Sequence, residues 1–163
     1  MKRKSLFALA GGVLLLLALQ FSPILISHRM FLKTSQQFTL YSLEPKTEVI
    51  GKIAPGEETF HRNKVLGKMP ITDPKVKAEL VNALYQGIAE SDGSASACFN
   101  PRHGIRAVKG WRTIDLEICF ECSGVAFWEN DKATNGATIT HTPQKVFDQV
   151  LKSGKIPLGK RRH

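Results

Sequence analysis

The chain predicts an α+β fold, an antiparallel sheet with two helices packed on one face, and three observations carry that expectation. Ile114, Leu116, Ile118, Phe120 and Cys122 alternate with Asp115, Glu117, Cys119 and Glu121, the period of two that gives a strand one buried and one polar face. Two segments, entered at Thr72 and Thr142, carry apolar residues at helical spacing just behind a proline. Between an apolar N-terminal run and a basic tail lie residues 34–153, enough chain for one hydrophobic core and not for two.

The N-terminus has a secretory layout. Lys2-Arg3-Lys4 precede an uncharged run from Ser5 to Ser27 that is dominated by Leu, Ala, Phe and Ile. About 20 helical residues cross a hydrocarbon core of about 30 Å, so this run is long enough to span a bilayer. No small-x-small cleavage site follows it, which predicts a signal-anchor over residues 1–33. Gln20, Ser22 and Pro23 thin its second half and leave a cleaved signal peptide, and hence secretion, as the alternative. Basic residues concentrate ahead of the span, which orients the N-terminus to the cytoplasm and residues 34–153 to the extracytoplasmic side.

The formal charge of +9 does not imply a nucleic-acid partner. Residues 1–33 hold five basic and no acidic groups, residues 154–163 hold four basic and none acidic, and the body between them balances 14 against 14. A neutral body with basic ends lacks the footprint that a phosphate backbone requires. The expected partner is the membrane, through the N-terminal helix. The tail ending Lys160-Arg161-Arg162-His163 is expected to fray.

Along the body, Phe38 to Leu43 alternates as a strand stopped by Glu44-Pro45, and residues 46–62 read as a loop with Gly51 and Pro55-Gly56. Val65 to Met69 reads as a short strand. A helix follows, capped by Thr72 or Asp73, with Val76, Leu80, Ala83, Leu84 and Ile88 on one face. Lys109-Gly110 is placed as the turn of a hairpin whose arms are Gly104–Val108 and the strand from Ile114. Ser123-Gly124 marks a bend before Val125–Trp128, and Asn135-Gly136 a further turn before a short strand at 137–141. The last helix starts at Thr142-Pro143, buries Val146, Phe147, Val150 and Leu151, and ends at Gly154.

The hairpin gathers the residues with chemistry. A turn at Lys109-Gly110 sets Arg102 opposite Glu117 as a cross-strand ion pair, Asn100 opposite Cys119, and Arg106 opposite Thr113 with Asp115 on the diagonal. Arg102, His103, Arg106 and Glu117 are therefore the candidate binding residues, the two arginines offering an anion-binding surface. The bland reading of the same face is a solvated strand with paired charges. Pro101 cannot donate to the ladder and belongs at an edge or bulge, which leaves the facing of Cys98 open.

Three cysteines outside the cytoplasm predict one disulfide and one spare thiol. Cys98–Cys119 and Cys98–Cys122 both fit. Cys119–Cys122 is disfavoured, because residues three apart on a regular strand face opposite ways. Cys98, His103, Cys119 and Cys122 also supply the donors of a Cys₃His zinc site, although C-x₂-C ligands belong at a turn. A thiol-active envelope protein using the same cysteines is the companion alternative to the metal site, weakened because no helix signal follows Cys119-Phe120-Glu121-Cys122 to stabilise a thiolate. No residue that would orient His103 as a base is apparent, and no motif fixes a reaction.

The segments CFNPRHGIR and ICFEC, with VLGKMPITD leading into a helix, resemble those of an uncharacterised group of small bacterial envelope proteins. The resemblance covers roughly residues 60–130. It implies an envelope location and importance for Cys98, Pro101, Arg102, His103, Cys119 and Cys122, and it brings no activity with it.

Overall fold

A computed structural model describes residues 23–44 and 56–160. Most of the expected membrane span, residues 5–22, lies outside them, as do 45–55 and 161–163. Among the described residues no helix is long and apolar enough to cross a membrane.

The elements run α1 (Pro23–Thr34), β1 (Gln37–Glu44), β2 (Thr59–Phe60), β3 (Asn63–Pro70), α2 (Pro74–Ala89), β4 (His103–Lys109), β5 (Arg112–Cys119), β6 (Gly124–Glu129), β7 (Lys132–Thr138) and α3 (Gln144–Ser153). The seven strands form one antiparallel sheet in the order β2-β3-β1-β4-β5-β6-β7. The α+β expectation holds: among the described residues lie the two helices expected of the domain, α2 and α3, together with α1 at the end of the expected leader.

Local chemistry explains the helices. Asp73 caps α2 by accepting the Lys75 amide at 2.8 Å, and Pro74 sits where its missing N–H is not needed. Leu80, Val81, Leu84 and Tyr85 of α2 and Phe147 and Leu151 of α3 then cover Leu40, Ile105, Leu116, Ile118 and Phe127 of the sheet. Residues 23–33, read from the sequence as the end of the leader, contribute to the same core: Leu32 is fully buried, His28 lies tilted against Phe127, and Arg29 bonds Asn82 of α2.

The hairpin register differs from the expected one by two. Lys109 pairs with Arg112, so the loop is Gly110-Trp111, and Gly110 at φ +60° takes the first loop position, where a type II′ turn demands glycine. A shift of two keeps every residue on its expected face and changes only its partner. Arg106 therefore lies directly opposite Asp115, and Gly104 opposite Glu117.

Two turns were not foreseen. Asn130 and Asp131 both have positive φ, 47° and 63°, and join β6 to β7 as a type I′ hairpin. Asn135-Gly136, expected as a turn, instead lies within β7, where the pairing with β6 slips between Ala126 and Trp128. In the expected loop, Thr59–Phe60 pairs with β3 across His61-Arg62, and His61 has φ 52°. The C-terminal segment is tied down as far as Lys160: Ser42 donates to the Pro157 carbonyl at 2.6 Å and Arg102 Nε to that of Lys160 at 2.7 Å.

Candidate functional site

The candidate residues divide between the two faces and one end of the hairpin. On the helix-free face, the side chains expected to meet solvent are buried. Asp115 and Glu117 are 1% and 5% exposed, because β2 and the His61-Arg62 turn curl over β4 and β5. Phe60 packs on Tyr41 and reaches β4 where Gly104 has no side chain; a Cβ there would stand 3.0 Å from the ring.

Arg106 binds Asp115 through both carboxylate oxygens, at 2.9 and 2.6 Å. His61 stacks on Trp128 and brings Nε2 to 3.1 Å from Asp115 Oδ2 without the alignment of a hydrogen bond. Burial pushes the Asp115 carboxyl up, but the hydrogen bonds and charge from Arg106, with His61, outweigh it and hold the group below the usual carboxylate range. Glu117 accepts from Asn63 Nδ2 at 2.5 Å and Trp128 Nε1 at 2.9 Å. Its pKa is nevertheless raised, because desolvation outweighs the charge of His61 and both hydrogen bonds.

Ligand atoms of His61, Asp115 and Asp131 lie within 4.8 Å of one another, the one such trio among the described residues. Both Asp115 oxygens are already held by Arg106, so the arrangement is an ion-paired network in the first instance.

The end of the hairpin is a second centre, built around the turn Cys119-Phe120-Glu121-Cys122. The regular alternation stops at Cys119, where β5 ends, and Ser123 closes the turn with its amide on the Phe120 carbonyl and φ 53°. This brings the Cα atoms of Cys119 and Cys122 to 5.2 Å, and the two cysteines form a disulfide. The pairing disfavoured from the sequence is therefore the one observed. The argument against it required a strand through Cys122, and the chain turns instead.

Each residue of that turn is held. Glu121 forms an ion pair with Arg102, which replaces the expected Arg102–Glu117 pair. Phe120 lies edge-on to His103 and Phe147. The Ser96 amide donates to the Cys122 carbonyl at 3.0 Å, the Asn100 amide to Cys122 Sγ at 3.3 Å, and the Cys122 amide to Cys119 Sγ at 3.1 Å. Cys98, between Ser96 and Asn100, is exposed and unpaired.

His103 faces the helices and bonds Asp148 of α3 from Nε2 at 2.8 Å. Asp148 is thus the orienting group the sequence did not reveal. Its one signal was a carboxylate beside Phe147 in an otherwise apolar stripe. His61, Asn63, Trp128 and Asp131 were also missed, since nothing local marks a loop residue that will curl onto a distant strand.

The arrangement gathers neither expected ligand set. The proposed zinc donors are separated by function: Cys119 and Cys122 bond each other, His103 bonds Asp148, and Cys98 is exposed. The anion surface is likewise neutralised, Arg102 by Glu121 and Arg106 by Asp115. No protein-family model, curated protein or solved structure matches the chain.

Proposed function

We propose that this chain is a membrane-anchored domain on the extracytoplasmic side whose Cys/His/Arg hairpin end is a structural and binding element. The observation that carries the reading is the Cys119–Cys122 disulfide, a bond that persists in oxidising compartments and is rare where glutathione keeps thiols reduced. The apolar run at 5–27 with its leading lysines and arginine supports delivery across the membrane, and the envelope resemblance of CFNPRHGIR and ICFEC agrees with it.

As a binding element, the hairpin end offers a surface beside α3 rather than the free arginines first expected. Asp148, His141, Lys145 and Lys152 line an open groove there, and His103 fixes Asp148 from beneath. Its mixed-charge lining suits a polar partner.

The test has two arms. A reporter fused after Lys33 should be active only outside the cytoplasm; activity only inside would overturn the location. Thiol counting on the denatured, unreduced full chain should find one free thiol, and three after reduction. Three free thiols with one stoichiometric metal ion would instead establish the zinc reading through Cys98, His103, Cys119 and Cys122.

A further inference from the structure

We infer that the hairpin end is a three-sulfur exchange site, in which the Cys98 thiol attacks the Cys119–Cys122 disulfide at Cys122. The three sulfurs are one free and exposed, two joined and buried. What ties them together is the segment bearing Cys98. Ser96, two residues before it, and Asn100, two residues after it, both bond Cys122, one at the carbonyl and one at the sulfur itself. Two residues of extended chain reach at most about 7 Å, so Cys98 is tethered on both sides to the residue it would attack. The segment that bonds Cys122 is the segment that carries the thiol. No helix or strand is formed between Ala89 and His103, so no regular element has to break for Cys98 to turn inward.

The exchange balances without an external oxidant. Cys98 loses its proton to water, and its thiolate forms a bond to Cys122 Sγ as the Cys119–Cys122 bond breaks. The electron pair of that bond leaves on Cys119 Sγ, which then takes a proton from water. The products are a Cys98–Cys122 disulfide and a Cys119 thiol. Two features favour this direction of attack. The Cys122 amide already points at Cys119 Sγ at 3.1 Å, where it stabilises the departing thiolate. Cys119, at the end of β5 with no comparable tie to the 96–100 segment, is the sulfur that is left behind.

The consequence is a domain with two disulfide isomers, one presenting a thiol at the surface and the other holding it inside. A partner bearing an accessible disulfide would engage it through the Cys98 thiolate, which forms the mixed disulfide as the partner's other sulfur leaves as a thiolate. This inference concerns the sulfurs alone and stands or falls independently of where the chain resides.

Full-length protein equilibrated at about pH 8.5, where thiolates are populated, is quenched with acid, denatured, alkylated with N-ethylmaleimide at mildly acidic pH so that buried thiols are reached, and mapped without reduction. The expected map contains Cys98-labelled protein and a second species, labelled at Cys119 with Cys98 joined to Cys122. Label confined to Cys98 overturns the inference. The Cys98→Ser variant should lose both labelled species, and persistent labelling of Cys119 in it would also overturn the inference. In Cys119→Ser, oxidised glutathione should join Cys98 to Cys122, whereas two glutathionylated cysteines in a folded variant would count against exchange.

Discussion

His103 and Asp148 meet at 2.8 Å, a hydrogen bond that ties the first residue of β4 to the middle of α3 across 45 positions of sequence. His103 is 4% exposed, so this bond also supplies the one polar contact of a buried ring whose other nitrogen has no partner. Asp148→Ala should therefore cost about 1–3 kcal/mol, the usual penalty for orphaning a buried polar group. Urea unfolding monitored by tryptophan fluorescence measures it, and adding His103→Phe to the same background should recover part of the loss.

Arg106→Ala should destabilise by roughly 3 kcal/mol at neutral pH, the lower end for breaking a buried pair, since the guanidinium is part exposed while Asp115 is not. The loss should depend on pH. The folded Asp115 pKa is depressed, so its contribution is present above the unfolded value and vanishes as pH falls through the folded one. The gap between wild type and variant should narrow on acidification; a constant gap would contradict the assignment.

Glu117 titrates in the opposite sense. Its folded pKa is raised, so its contribution is complete below the unfolded value and is lost as pH rises through the folded one. Glu117→Gln forfeits one of the bonds from Asn63 and Trp128 at every pH but never ionises. Relative to wild type, its stability should improve as pH rises from about 4 to about 7, readable from denaturant midpoints across that range.

The Cys119–Cys122 bond spans a sequence separation of 3, and so short a loop gains little chain entropy. Reduction should lower stability by about 2 kcal/mol, and the domain should remain folded. Loss of near-ultraviolet circular dichroism on reduction would mean that the bond holds more of the core than its loop length implies.

Gly110→Ala tests the hairpin turn. At φ +60° an alanine pays roughly 1–2 kcal/mol for the left-handed conformation, and space is no obstacle, since no atom lies within 4 Å of the added Cβ. An unchanged melting temperature would place the turn elsewhere.

Much of the architecture could be read from local signals. The alternation at 114–119, the Asp73-Pro74 cap and the Pro143 and Gly154 boundaries of α3 each depend on residues within one turn or one strand, and local chemistry decides them. Face assignments survived the wrong register because a slip of two preserves the pleat. By itself, then, the sequence determined the fold class, the helices α2 and α3, the core face of β5 and the proximity of the chemical residues to one hairpin.

Tertiary structure alone decided what those residues do. Whether Asp115 and Glu117 face water depended on a turn at His61, more than 50 positions upstream, curling over the sheet. Whether Arg102 met Glu117 or Glu121, and Cys119 met Cys98 or Cys122, depended on where β5 stops. That point is fixed by Phe120 packing between His103 and Phe147, a contact between three distant segments. Periodicity reports which way a side chain points; only the packed chain settles what it finds there, because partners are chosen by long-range burial that no local pattern encodes.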